Sequence, residues 1–408
     1  MSHLLVGSTR RHLAAVAIVA AAGLLACVGA CSQGTAKPPA AAGGPQVGGA
    51  GRPIAAAVFP AEGAASSQPW SFAGAAGQVL TTNNFTIYTT ETNAALIDRV
   101  PKFMERALQH YLTAITEDRP LPPPSGKMES FVMGSRQQWK ELVLSMLGKQ
   151  AQPMLQIPAG GFATGGRAFL FDIGLGSTFF VASHEGWHQY SQRTFAEPMP
   201  IFLEEGVATY MEGHRWEGLE VQFLPWSNID RFEQLRTAAQ SGRLLPLRDL
   251  IETAPQRLIG QPGDGALTYY AQLWALVHFL NEGDGGIYRP MLRRIIADAQ
   301  AGKLSQSVAA QLAMSDRGGM LAKRQGIAVF RAYFDRDIDA FNARYVAFVA
   351  QITRPGARDL ITLGRSPVLR AASAQVMVNS ILGSKPTIPQ RGIRRANVSQ
   401  PGAPANVN

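Results

Sequence analysis

His184 and His188 stand four residues apart in the stretch His184-Glu185-Gly186-Trp187-His188. On a helix that interval puts both imidazoles on one face, close enough to share a metal ion. Glu185, beside the first histidine, is then placed to take a proton from water activated by the metal rather than to bind the metal itself. A catalytic metal also needs a third protein ligand and an open fourth position. Downstream, Phe202-Leu203-Glu204-Glu205-Gly206-Val207-Ala208-Thr209-Tyr210 offers Glu204 or Glu205. Adjacent helix positions point ~100° apart, so both cannot face one ion equally.

Two helices must therefore meet. The spacing of apolar residues predicts the first from 177 or 178 to 192, with Phe180, Val181 and Trp187 packing away from the metal. Pro198 and Pro200 end the connection, and a second helix follows over 201–211. Ahead of the histidines, residues 158–166 are rich in glycine but lack the lysine-serine/threonine ending of a phosphate loop. They read as a hairpin before a strand at 167–172, either an ordinary core strand or one that pairs with an extended peptide. Further strands are expected at 85–90 and 127–133. Helices are expected at 95–115, 136–147, 229–240, 266–280, 291–299 and 338–352. The pattern is α+β, with a small N-terminal mixed sheet and a predominantly helical C-terminal part.

The His184/Glu185/His188 motif with the Glu205-Gly206-Val207-Ala208 stretch resembles the glutamate-liganded zinc peptidases, the gluzincins. It is closest to the peptidase-MA-like proteins of bacteria, whose second motif is an E-G-x-A helix. The resemblance spans roughly residues 85–352 and is most specific over 168–280. It implies a zincin-like domain in which the helix bearing the histidines packs against the glutamate helix. It further implies Zn2+ on His184, His188 and Glu205, Glu185 as general base, and a peptide or protein substrate. Glu204 is then left supporting the site or at the surface, and Gly206 and Ala208 let the two helices approach. Aminopeptidase relatives place an oxyanion-stabilising tyrosine at a spacing similar to that of Tyr269; Tyr270, His214 and His278 are its competitors. Asp172 and Glu212 are candidates to orient the histidines. No third histidine follows in the metzincin pattern, and no G-A-M-E-N stretch precedes His184, so an endopeptidase of unknown specificity is expected. The rival reading is a catalytically degenerate envelope module that keeps the zinc site and binds protein or glycan. A third, packing without metal, leaves two histidines and two glutamates buried at a desolvation cost.

The rest of the chain sets the surroundings of that site. Arg10 and Arg11 precede an apolar run at 13–26, too short to span a membrane and fitting a secretion signal. Small residues before Cys27 and Cys31 resemble the bacterial lipoprotein cleavage box, with Cys31, or else Cys27, as the lipidated residue. Residues 1–31 are thus expected to form a signal with lipobox, tethering the protein to the cell envelope, facing the periplasm or exterior. Residues 32–74, rich in Ala, Gly and Pro, read as a flexible linker, 75–355 as the catalytic domain, and 356–408 as an extension largely disordered after 385. These are the only two cysteines in the chain, which excludes a disulfide-stapled fold and a cysteine-based site in the domain. The formal charge of +9 falls partly near the termini, with no basic stripe interleaved with aromatics, so nucleic acid is not an expected partner.

Overall fold

A computed structural model describes residues 66–116, 119–258, 263–310 and 326–369. The expected signal, Cys27, Cys31 and the tail after 385 lie outside the described residues. The elements below belong to a unit that extends to Val368.

A six-stranded mixed sheet forms from β1 (Ser66–Phe72), β2 (Ala75–Thr81), β3 (Phe85–Thr89), β4 (Met128–Met133), β5 (Gly161–Thr164) and β6 (Arg167–Phe171), in the order β1-β2-β3-β4-β6-β5. Both β3/β4 and β4/β6 are parallel; the other pairs are antiparallel. Period-two alternation sends Met128, Val132 and Leu170 to one face and Phe131, Met133, Phe169 and Phe171 to the other. The first face carries α2 (Val100–Thr113), which follows the short α1 (Ala94–Ile97), and the histidine helix α4 (Leu175–Thr194). The second is covered by α3 (Arg136–Leu147), through Trp139, Leu142 and Val143.

Two boundaries differ from the sequence reading. Strand β1 occupies Ser66–Phe72, within the stretch expected to be linker; as an edge strand it tolerates Pro69 without losing a ladder bond. At the other end, packing continues past 355: the Arg354 guanidinium donates to the Pro367 carbonyl at 2.6 Å, and Arg215 to that of Leu363 at 3.3 Å. The strand weighed as a partner for an extended peptide, β6, lies between β4 and β5 with both sides taken. At this end of the sheet β5 is the outermost strand among the described residues, buried against α4.

The helix α4 starts at Leu175, a little before the expected point. Asp172 accounts for this, since its Oδ1 accepts from the Gly174 amide (2.9 Å) and the Thr178 hydroxyl (3.0 Å), organising the first turn. That carboxylate serves the start of the helix and does not contact the imidazoles. Gln189 ties α4 to β4, accepting from Ser130 Oγ at 3.1 Å and donating to the Glu129 carbonyl at 2.6 Å.

α5 (Ile201–Met211) packs on α4, and the largely apolar α8 (Gly265–Glu282) packs on α5. Gly206 serves the second contact rather than the first: a Cβ there would meet Val277 Cγ2 at 2.9 Å and the Leu273 carbonyl oxygen at 3.3 Å, both on α8. Gly186 is the glycine that admits a neighbour to α4. A Cβ there would stand 2.4 Å from the Tyr111 hydroxyl of α2, which donates to the Ser183 carbonyl at 2.7 Å. A hairpin of β7 (His214–Glu217) and β8 (Glu220–Phe223) then leads to α6 (Ile229–Gln240) and α7 (Leu247–Glu252). After α8 the chain continues through α9 (Arg289–Gln300), α10 (Leu304–Ala309), α11 (Gly326–Tyr333), α12 (Ile338–Ile352) and α13 (Ala357–Thr362). Among the described residues no helix is long and apolar enough to cross a membrane.

Candidate metal centre and active site

The helices α4 and α5 bring His184, His188 and Glu205 together, each with a ligand atom within 4.8 Å of the others. Glu205 Oε2 lies 3.4 Å from His184 Nε2 and 3.6 Å from His188 Nε2. Ligands ~2.0–2.1 Å from a tetrahedral zinc stand ~3.3–3.4 Å apart, so these separations match edges of such a tetrahedron. The same nitrogens and both Glu205 oxygens are buried without hydrogen-bond partners. Orphaned groups of this kind are costly unless they have a common partner. His184, His188 and Glu205 thus form a cluster that fits Zn2+, two neutral nitrogens and one carboxylate being a donor set typical of catalytic zinc.

Each histidine is fixed from behind by a carboxylate at its Nδ1. His184 Nδ1 is 2.8 Å from Glu212 Oε1, and His188 Nδ1 is 3.2 Å from Glu204 Oε1. With Nδ1–H donated to a carboxylate, the lone pair resides on Nε2, facing Glu205. Glu204, left between a supporting and a surface role by the sequence, is buried and also accepts from Ser191 Oγ at 2.6 Å. Glu212, at the end of α5, accepts from Asn228 Nδ2 at 2.8 Å and from Arg231 Nε and Nη2 at 3.0 and 2.8 Å. Burial opposes the charge on Glu212, but Arg231 and His184 outweigh it and hold the carboxyl down at about 2. Burial likewise opposes charge on Glu205, and the two imidazoles overcome it, again to about 2.

Glu185 shares the buried face with the cluster, and burial pushes its carboxyl up to about 7 against the pull of His188 and His184. Neither of its oxygens meets hydrogen-bond geometry with a described group, although the Ala163 amide faces it closely enough to favour its charged form. That amide belongs to the sheet edge. Gly160 accepts from the Phe171 amide on β6, so alternation turns the backbone groups of Gly161 and Ala163 away from β6. The Ala163 carbonyl accordingly accepts from Gln192 of α4 at 3.2 Å.

The oxyanion-donor candidates separate by their partners. The Tyr269 hydroxyl donates to the Thr253 carbonyl at 2.9 Å. His214 donates from Nδ1 to the Glu212 carbonyl at 2.8 Å and is enclosed by Phe103 and Phe180. His278 stacks on Trp226 with 3.6 Å between centroids, its Nδ1 3.2 Å from Glu282. Tyr270 differs: its hydroxyl is buried without a partner among the described residues, and its ring meets that of His184 edge-on at 6.1 Å. Burial, then the Glu205 charge, raises its pKa far above the usual value, so it remains a proton donor.

Sequence reasoning missed Arg231, Asn228 and Ser191, whose roles follow from packing and carry no motif. A buried zinc-type triad beside a carboxylate of raised pKa supports a zinc-dependent hydrolytic site in a zincin-like arrangement. No protein-family model matches this chain, and no curated protein matches its sequence.

Proposed function

We propose that this protein is a zinc metallopeptidase of the gluzincin type, cleaving within peptide chains. The observation that carries the reading is the convergence of His184 Nε2, His188 Nε2 and Glu205 Oε2 beside Glu185. When bound, zinc polarises the scissile carbonyl and acidifies a water. Glu185 accepts the proton of that water at its carboxylate and passes it to the departing amine. The Tyr270 hydroxyl donates to the oxygen that becomes negative. The Arg10–Arg11 pair, the short apolar run and Cys31 or Cys27 support lipid attachment in a bacterial envelope, testable by palmitate labelling of cells with each cysteine replaced.

Metal analysis and a diverse peptide library, applied to wild type and Glu185→Gln, test the catalytic reading. The expected result is stoichiometric zinc in both proteins and cleavage reduced at least ~100-fold in the variant. Zinc in both with cleavage in neither would favour the degenerate binding module instead.

A further inference from the structure

We propose that Arg231 is a positioning residue for both halves of the site: it sets His184 through Glu212 and seats the ring of Tyr270. The proposal rests on the zinc-site reading and deepens it. Arg231 lies on the first turn of α6, where Asn228 accepts from the Arg231 amide at 3.2 Å. It is 5% exposed, an uncommon place for a full cation unless it is well partnered. Its Nε and Nη2 take separate oxygens of Glu212 in a two-pronged pair, and Glu212 in turn holds Nδ1 of His184. The guanidinium carbon also sits 5.3 Å from the centre of the Tyr270 ring, a cation–π contact in a desolvated setting. Tyr270 meets His184 edge-on from its other surroundings.

One planar cation thus touches the carboxylate behind a metal ligand and the ring that carries the unpartnered hydroxyl. An ion pair built for stability alone has no need of the second contact. Lysine cannot take over the role, because an ammonium offers neither the fork nor the flat face. Asn228, which shares Glu212, fixes the helix turn from which Arg231 projects. The arrangement ties the orientation of His184 to the placement of Tyr270 through a single side chain.

Arg231→Lys, Tyr270→Phe and the double variant, each checked for native circular dichroism, test this. Zinc affinity is read by competition with a chromophoric chelator. Phenylphosphonate, a tetrahedral oxyanion, is titrated into the cobalt-loaded proteins and followed by their visible spectra. Arg231→Lys is expected to weaken zinc binding about 10–100-fold, as loss of a partner behind a metal-ligating histidine does, whereas Tyr270→Phe leaves zinc affinity unchanged. Each single variant is expected to weaken phosphonate binding roughly tenfold, and the double variant no further, because the residues act as one unit. Wild-type zinc affinity in Arg231→Lys, or phosphonate losses that multiply in the double variant, would overturn the proposal. Should Arg231→Lys not fold, Arg231→Gln, planar and neutral, is carried through the same measurements. Neither readout needs turnover, so a wild type that binds zinc yet cleaves no peptide would sink the peptidase reading and leave the Arg231 result to be judged separately.

Discussion

Tyr269 and Tyr270 are neighbours on α8 with opposite duties. Tyr269 spends its hydroxyl on the Thr253 carbonyl, while the Tyr270 hydroxyl is buried without a partner among the described residues, which is why the oxyanion role is proposed for it. Tyr269→Phe is therefore expected to cost ~1 kcal/mol of stability with little change in kcat. Tyr270→Phe should lower kcat by ~100-fold with the melting temperature held; steady-state kinetics beside thermal unfolding separates the two. The histidine ligands were legible because a helix converts sequence spacing directly into a shared face, and the resemblance to the gluzincins at Glu205-Gly206 marked which of two glutamates belonged there. The choice between two adjacent tyrosines was not legible, since it depends on how α8 is rotated against α4 and α5. The same is true of Glu204, whose partners Ser191 and His188 lie on another helix.

At the scale of elements, the sequence placed most helices and strands, because each buries one face with a clear period. It placed Gly206 against the wrong neighbour, since a glycine announces that something approaches closely without saying what. Gly186 makes the same point within the histidine motif itself. Gly186→Ala would drive a methyl into the Tyr111 hydroxyl and is expected to destabilise the zinc-free protein by ~1–3 kcal/mol. In a Tyr111→Phe background the penalty should shrink, because the clashing oxygen is gone; a double-mutant cycle by chemical denaturation measures the difference. The edge strand was likewise beyond sequence reasoning. Only the strand at 167–172 was read from the sequence, and only the pairing of β6 with β4 and β5 shows that β5 is the outermost of the two.

At the scale of the molecule, the acid response of the fold has a source far from the metal ligands in sequence. His110 on α2 stacks on Phe223 at 5.2 Å, and its Nε2 is buried without a partner. Burial, aided by the charge of His214, pushes its pKa down to about 3. The unfolded chain binds this proton near pH 6.5 and the folded chain does not, so stability falls as pH drops from about 6.5 toward 3. His110→Phe keeps a ring at the contact and should remove ~1–2 kcal/mol of the loss between pH 6.5 and 5, as read by denaturant titration. The extent of the folded unit was the least legible feature at this scale: β1 hides among serine, glutamine and proline, and the stretch after 355 has weak periodicity. The arrangement of α5 has a bearing on cooperativity. Glu204 and Glu205 lie within that helix and Glu212 caps its end, so one rigid rod presents the acidic ligand and both clamps on the imidazoles. A slip of α5 by one residue, ~1.5 Å along its axis, misaligns all three carboxylates together. The centre is therefore expected to lose its grip on both imidazoles together, so that disturbing α5 weakens zinc binding more than disturbing either clamp alone.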